Sequence, residues 1–500
     1  GGAAVWLAAL AVTVLAAALL TWPALRASPP GPAHARRGRQ AALAGAATAG
    51  GDLALLALAG VAVWQLRGFT SAPGADADPV VIAAPALALA VIGLVPIRLL
   101  PLLARLLNRA AAAARRVTSA MAAWEISRLQ VRRSGPVLLT VLAVATATLA
   151  LASYASWRQS ALDQAAFSAG ADVRVDAPWP VTRAQLGALA RAPGVTGDMT
   201  SASVTLGTGT LLAVDSRAAV STVLLRADLA PLPEPALFRL LTAGHGSTPV
   251  PVIATTAFLR ANNLTVGGAY PAAIGPGTVP VRIVAAVSAF PTLPAGSGGI
   301  IADLGAVNRA LASVRQPPLA VTSVWIRLRG AQTALPVPAG SVVTSRTETA
   351  GTLLGDSLSA VPQRAAIGVA LAVVLLAILG FAAATAASLR ERRSRRSILR
   401  AIGVPLAAQT RQLCAEELLL SVPAAGAGLL GGAGLAHLLI SGVVLAPDGS
   451  APVPPVTVVI PLGWAVAGAA VICALPPLVA LAAGARRPDA AAALRGAEAT

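Results

Sequence analysis

Several apolar stretches in this chain are too long and too free of charge for the core of a water-soluble domain. Ala365–Ala387 (AAIGVALAVVLLAILGFAAATAA) holds no charged residue, and about 20 apolar residues at a helical rise of 1.5 Å cover roughly 30 Å of hydrocarbon. A membrane span is predicted. It stops at Arg390-Glu391-Arg392-Arg393-Ser394-Arg395-Arg396, where five of seven residues are Arg, and basic flanks of this kind hold a span's end on the cytoplasmic side. The overall composition agrees: 56% of residues are hydrophobic and the mean hydropathy is +0.74. The formal charge of +18 suits nucleic acid in principle, but the Arg residues gather at span ends, where membrane orientation accounts for them. Membrane lipid is therefore the expected surrounding and nucleic acid is not an expected partner.

Applied along the chain, the same test predicts a polytopic α-helical membrane protein of about seven spans with an inserted α+β extracytoplasmic domain. Spans are expected within 1–22, 42–66, 80–103, 134–156, 364–388, 414–440 and 458–484. The Pro- and Arg-rich loop 23–41, the connector 104–133, the segment 389–413 and the tail 485–500 carry the basic residues and are placed in the cytoplasm. Loops 70–79 and 441–457 carry only Asp and are placed outside. In the connector, Val117, Met121, Trp124 and Leu129 recur at roughly helical spacing, which predicts a basic amphipathic helix along the inner surface. Asp52 interrupts the second span. An acid at mid-membrane costs on the order of 3 kcal/mol, so it marks either an interface or a functional group facing protein.

Residues 157–363 contain no span and change in texture. Alternating runs at Asp172–Val175, Ser203–Leu206, Val281–Val284 and Ser323–Leu328 predict half-buried strands, while Arg183–Arg191, Pro235–Ala243 and Leu304–Arg315 predict helices. Roughly 200 residues suffice for an independent α+β core.

Catalytic chemistry has little to build on. Lys is absent, so no G-x-x-x-x-G-K-[ST] phosphate loop exists and ATP cannot be hydrolysed by that route. The three His, at 34, 245 and 437, are scattered, which predicts neither a zinc site nor a His-based triad. Cys414 and Cys473 lie in predicted spans, so no disulfide framework is expected in the external domain. Gly428 and Gly432 form a G-x-x-x-G in the sixth span, a pattern that lets helices approach closely. A sliding seam between repeats and simple Gly/Ala richness both account for it. Pro476-Pro477 is expected to kink the seventh span.

After the Arg cluster come Ser397-Ile398-Leu399-Arg400-Ala401-Ile402-Gly403-Val404-Pro405 and then Gln409–Glu417, a short basic amphipathic segment at the mouth of the next span. Here the chain resembles the FtsX-like permease family of MacB-type ABC systems, whose hallmark is a basic run, "LRALG", a short helix and a Glu. The resemblance implies a coupling helix seated on a separate ATPase subunit, with Arg395, Arg396, Leu399, Arg400, Ala401, Ile402, Gly403 and Glu416 as the residues involved. Where the family usually carries an acid about five positions before the Arg, this chain has Arg395. No cofactor is expected on the chain itself, since ATP is met by the partner.

Ala123–Arg128 before the fourth span, and Ser156–Ser160 with Gly170–Val175 after it, resemble the start of the second half of two-repeat actinobacterial permeases of this family. On that likeness 1–22 is the last span of an incomplete first repeat, 42–103 bridges the halves and 134–484 is one complete repeat; the chain then reads as the later part of a longer polypeptide. Ile253–Pro291 is similar to the MacB-type periplasmic domain. The implied function is the permease subunit of a plasma-membrane ABC transporter, coupling ATP hydrolysis elsewhere to movement of the extracytoplasmic domain for export or extraction of a lipid, lipoprotein or peptide. An FtsX-type signalling protein that activates an external cell-wall hydrolase without transport predicts the same segment, and the external domain is expected to engage the cargo or an extracytoplasmic partner protein. A secondary transporter has only Asp52 in its favour.

Overall fold

A computed structural model describes residues 134–242, 248–275, 277–330, 335–391, 406–443 and 452–485. The expectations for spans 1–22, 42–66 and 80–103, for Asp52, for loop 23–41, for the connector 104–133 and for the tail beyond 485 lie outside these residues. Contacts divide the chain into two units. One contains the described helices up to Ser156, from Val361 to Val443 and from Val458 onward; the other contains Trp157–Ala360 together with Val444–Thr457.

Among the described residues, three helices are long and apolar enough to cross a membrane. Helix α1 (Ser134–Ala169) has 36 residues and an apolar stretch from Val137 to Ala169. At 1.5 Å per residue it is about 54 Å long, well beyond the hydrocarbon thickness. The helix thus continues beyond the predicted span 134–156. No Gly or Pro interrupts the run past Pro136, and Gln159 Nε2 donates to Asp163 Oδ1 at 2.7 Å while Gln164 Nε2 donates to Ser160 Oγ at 3.0 Å, the four-residue spacing that supports a helix face. The helix ends only at Gly170, whose φ is +77°.

The other helices of the first unit, given by their whole ranges, are α8 (Ser357–Glu391), α9 (Leu406–Val443) and α10 (Leu462–Ala485). The stretches Gln363–Gly380 and Glu417–Ile440 are span-length, whereas the apolar stretch of α10, Leu462–Leu475, is shorter. Residues 458–461 of the predicted seventh span are not helical, and α10 begins directly after Pro461. It runs unbroken through Pro476-Pro477. The shared core of the four helices is rich in small residues, with Ala143 and Val144 of α1, Ala377 of α8, Ala425 of α9, and Ala469, Ile472 and Cys473 of α10, and Leu139, Val373, Val374 and Leu429 pack around it.

The second unit is a mixed sheet of nine strands in the order β5-β6-β4-β7-β3-β2-β8-β1-β9. The strands are β1 (Val173–Asp176), β2 (Val195–Leu206), β3 (Gly209–Val214), β4 (Val250–Thr255), β5 (Ala269–Ile274), β6 (Gly277–Val287), β7 (Gly299–Asp303), β8 (Ser323–Leu328) and β9 (Val342–Ser345). Because successive side chains of a strand point to opposite faces, Leu212, Ile253 and Ile301 join one core and Leu211, Val252, Ala254 and Ile300 the other. Helices α3 (Ser216–Thr222) and α4 (Glu234–Thr242) contribute Ala219, Leu237, Phe238 and Leu241 to the first core. Helices α5 (Thr256–Ala261) and α6 (Leu304–Ser313) contribute Phe258, Val307 and Leu311 to the second. Helix α2 (Arg183–Ala190) packs Leu189 on a third cluster around Val173, Val175 and Ile326.

Local chemistry fixes the helix starts. Thr182 and Gln185 form a reciprocal capping box on α2, Asp215 accepts from the first turn of α3, and Asp303 accepts from Ala306 N at the start of α6. Helix α7 (Arg346–Gly355) follows β9 directly. Gly170 is required where it stands: besides its positive φ, an added Cβ would lie 2.2 Å from Cζ3 of the buried Trp325.

Candidate functional site: the basic segment, the helix seam and the polar ties

Of the residues predicted to form the coupling segment, Arg395, Arg396, Leu399, Arg400, Ala401, Ile402 and Gly403 lie outside the described residues. Their flanks are described. Helix α8 ends at Glu391 and α9 begins at Leu406. Glu416 falls about three turns into α9.

Gly428 and Gly432 sit where α9 crosses α1. A methyl added at Gly428 would lie 2.8 Å from the Val141 carbonyl oxygen, and one at Gly432 would lie 2.6 Å from that of Ala145 and 2.8 Å from Thr148 Cβ. Backbone thus meets backbone, the approach that only small residues permit between helices in lipid. The neighbour at both glycines, among the described residues, is α1. By contrast Gly426 and Gly434 have no neighbour within 4 Å among the described residues, so of these four glycines on one helix two make the seam. Other ties cross the same bundle: Ser153 Oγ of α1 donates to Gln363 Oε1 of α8 at 2.9 Å, and the Cys473 thiol of α10 donates to the Ser421 carbonyl of α9 at 3.4 Å. Both Cys414 and Cys473 are free thiols.

Two charged networks in the sheet unit, one centred on Asp172 and one on Arg226, were not expected from the sequence. Asp172, between α1 and β1, accepts from Leu328 N at 3.0 Å and pairs with Arg327 at 3.4 Å and Arg346 at 3.3 Å. It ties the strand leaving α1 to the end of β8 and the start of α7. Arg226, between α3 and α4, places Nε and Nη2 on the two oxygens of Asp228 at 2.6 and 2.9 Å, and Nη1 on Asp163 Oδ2 at 2.7 Å. Its Nη2 also donates to the Pro455 carbonyl at 2.7 Å. Burial pulls the Arg226 pKa down, but the hydrogen bonds and charges of Asp228 and Asp163 outweigh it and leave the guanidinium above its ordinary value. The Arg226-Ala-Asp228 spacing was the one available hint. Positions 163 and 455 are distant in sequence and carry no signal of the pairing.

One carboxyl is poorly matched. Glu234, the first residue of α4, has a buried Oε1 without a hydrogen-bond partner. Burial pushes its pKa up to about 7, against the opposing charge of Arg327. Among the described residues, no group of three or more His, Cys, Asp or Glu is arranged to hold a metal ion. What the molecule does possess is a closely packed helix bundle whose basic segment joins α8 to α9, and a sheet unit fastened by charge-assisted ties.

Comparison with known families adds to this. No curated protein matches the chain. Residues 367–487 match the FtsX-like permease C-terminal family, a range that starts in α8, takes in the whole basic segment and α9, and ends just past α10. Proteins of this family are membrane permeases of ABC-type systems and generally work with an ABC ATPase. Residues 367–487 are therefore similar to the C-terminal domain of FtsX-like permeases.

Proposed function

We propose that this chain is the transmembrane subunit of an ABC system whose ATPase is a separate polypeptide, and that its basic segment 389–413 is the seat of that ATPase. The observation that carries this reading is the family match across 367–487, which spans the helix, Arg-rich segment and helix on which such docking rests. Arg400, Ile402 and Gly403, with the Arg cluster before them, form the docking surface, and Glu416 holds the segment against α9. The sheet unit lies outside the membrane and changes shape as the helices respond to closure of the ATPase pair. Export or extraction of a lipid, lipoprotein or peptide is the work so driven, and the chain contributes no catalytic group of its own.

A co-purification experiment tests this. The full-length protein in mild detergent is compared with Arg400→Glu and Gly403→Trp and scored for an associated ATPase. An ATPase retained by wild type and reduced at least about tenfold by either substitution supports the docking role; a tenfold loss corresponds to about 1.4 kcal/mol of binding. Absence of any ATPase from the wild-type preparation removes the motor and overturns the reading.

A further inference from the structure

The stretch from Pro452 to Pro455 reads Pro-Val-Pro-Pro, so three of its four residues have no backbone N–H. Such a segment cannot be fastened by a strand ladder, which needs donors from both sides. It offers carbonyl oxygens, and anything that holds it must donate. Contacts nevertheless place 452–457 with the sheet unit, and Pro452 and Pro454 are buried.

The donor is Arg226. Its guanidinium presents five N–H groups in a rigid planar fork, and it reaches three separate parts of the chain: Asp228 beside it, Asp163 on α1, and the Pro455 carbonyl. Asp163 is itself held from its other oxygen by Gln159 Nε2. The Arg226 and Asp163 side chains are only 20% and 14% exposed, so their pairing is screened less than a surface ion pair. With both carboxylates set, the one remaining direction of Nη2 is aimed at the loop.

We propose that Arg226 is a positioning residue: a clasp that fastens the loop between α9 and α10 to the sheet unit and makes it move with that unit. The loop is then a further chain connection gripped by the sheet unit, beyond α1 and the α7–α8 passage. Under the permease reading, on which this consequence rests, movement of α9 and α10 is felt by the sheet unit through Arg226. Lys in its place keeps the charge but loses the fork.

The test is hydrogen–deuterium exchange on the full-length protein in detergent, read at the amides of Val453 and Val456–Ile460. Arg226→Gln is expected to raise exchange there at least about tenfold, with β4 and β7 unchanged. Arg226→Lys is expected to give an intermediate value. Asp163→Asn, which leaves Asp228 and the loop contact in place, is the second variant should Arg226→Gln fail to fold, and is expected to raise exchange by about half as much on a logarithmic scale. Exchange unchanged in the folded variants overturns the clasp. Because exchange needs no ATPase, its outcome is separate from that of the co-purification experiment, and either reading can fail alone.

Discussion

The sheet unit and the helix bundle solve packing in opposite ways. The sheet unit buries large side chains fully, with Trp325, Phe238, Phe258, Phe290 and several Leu and Ile at under 2% exposure. The bundle buries Ala143, Ala145, Ala152, Ala377, Ala424 and Ala436 and leaves Leu371, Leu376, Leu379 and Leu430 at 60% exposure or more. Water explains the difference. In water, burying a large apolar side chain is the main source of stability. In lipid a Leu gains nothing by leaving the tails, and close backbone approach across small residues takes over.

The largest expected effect follows from the sheet unit's side of this contrast. Trp325 is 1% exposed, and its ring fills the space that a side chain at Gly170 would need. Trp325→Ala should destabilise the sheet unit by about 3–5 kcal/mol through lost burial and the cavity left behind. Denaturant unfolding followed by circular dichroism measures it. A loss below about 1 kcal/mol would mean that the aromatic core is not what holds this unit.

The same contrast decides what was legible in the sequence. Alternation marked the strands well: Ser323–Leu328 is β8 to the residue, and Val281–Val284 lies within β6. The helix predicted at Leu304–Arg315 runs Leu304–Ser313. These signals are local, set by period and capping. The order β7-β3-β2-β8-β1-β9 had no such signature, because strand neighbours far apart in sequence are chosen by tertiary packing. In the bundle, composition showed that helices exist but not where they stop, so α1 continues to Ala169, past the expected 156. The basic segment was legible as a motif, and its helical flanks now frame it. The Arg226 and Asp172 networks were not, since each unites residues from three or more distant stretches.

A medium-sized effect tests the bundle's side. Gly432→Ala places a methyl 2.6 Å from the Ala145 carbonyl, so α1 and α9 must separate, at a cost of about 1–3 kcal/mol. Gly434→Ala meets nothing within 4 Å among the described residues and should be neutral or slightly stabilising, because Ala is the better helix former. Unfolding in a mixed-detergent titration compares them. Equal behaviour of the two variants would show that small residues are present by composition alone and that no seam exists.

The smallest effect separates the two units by pH. Glu234 belongs to the sheet unit, and its carboxyl ionises at about 7 in the folded state against an ordinary value of 4.5. Between those values the folded chain keeps a proton that the unfolded chain has released. Stability present below about 4.5 is therefore lost as pH rises through 7, and it stays lost above. The side chain is only half buried, so the discounted magnitude is on the order of 1 kcal/mol. Glu234→Gln removes the titration and leaves the shape: the variant should match wild type near pH 4.5 and exceed it at pH 8 in the Tm of the sheet unit. The helix bundle's unfolding should show no difference between the two proteins at either pH. If Glu234→Gln is no more stable than wild type at pH 8, the Glu234 carboxylate is met by Arg327 well enough to offset its burial, and the sheet unit holds its charges in satisfied pairs throughout.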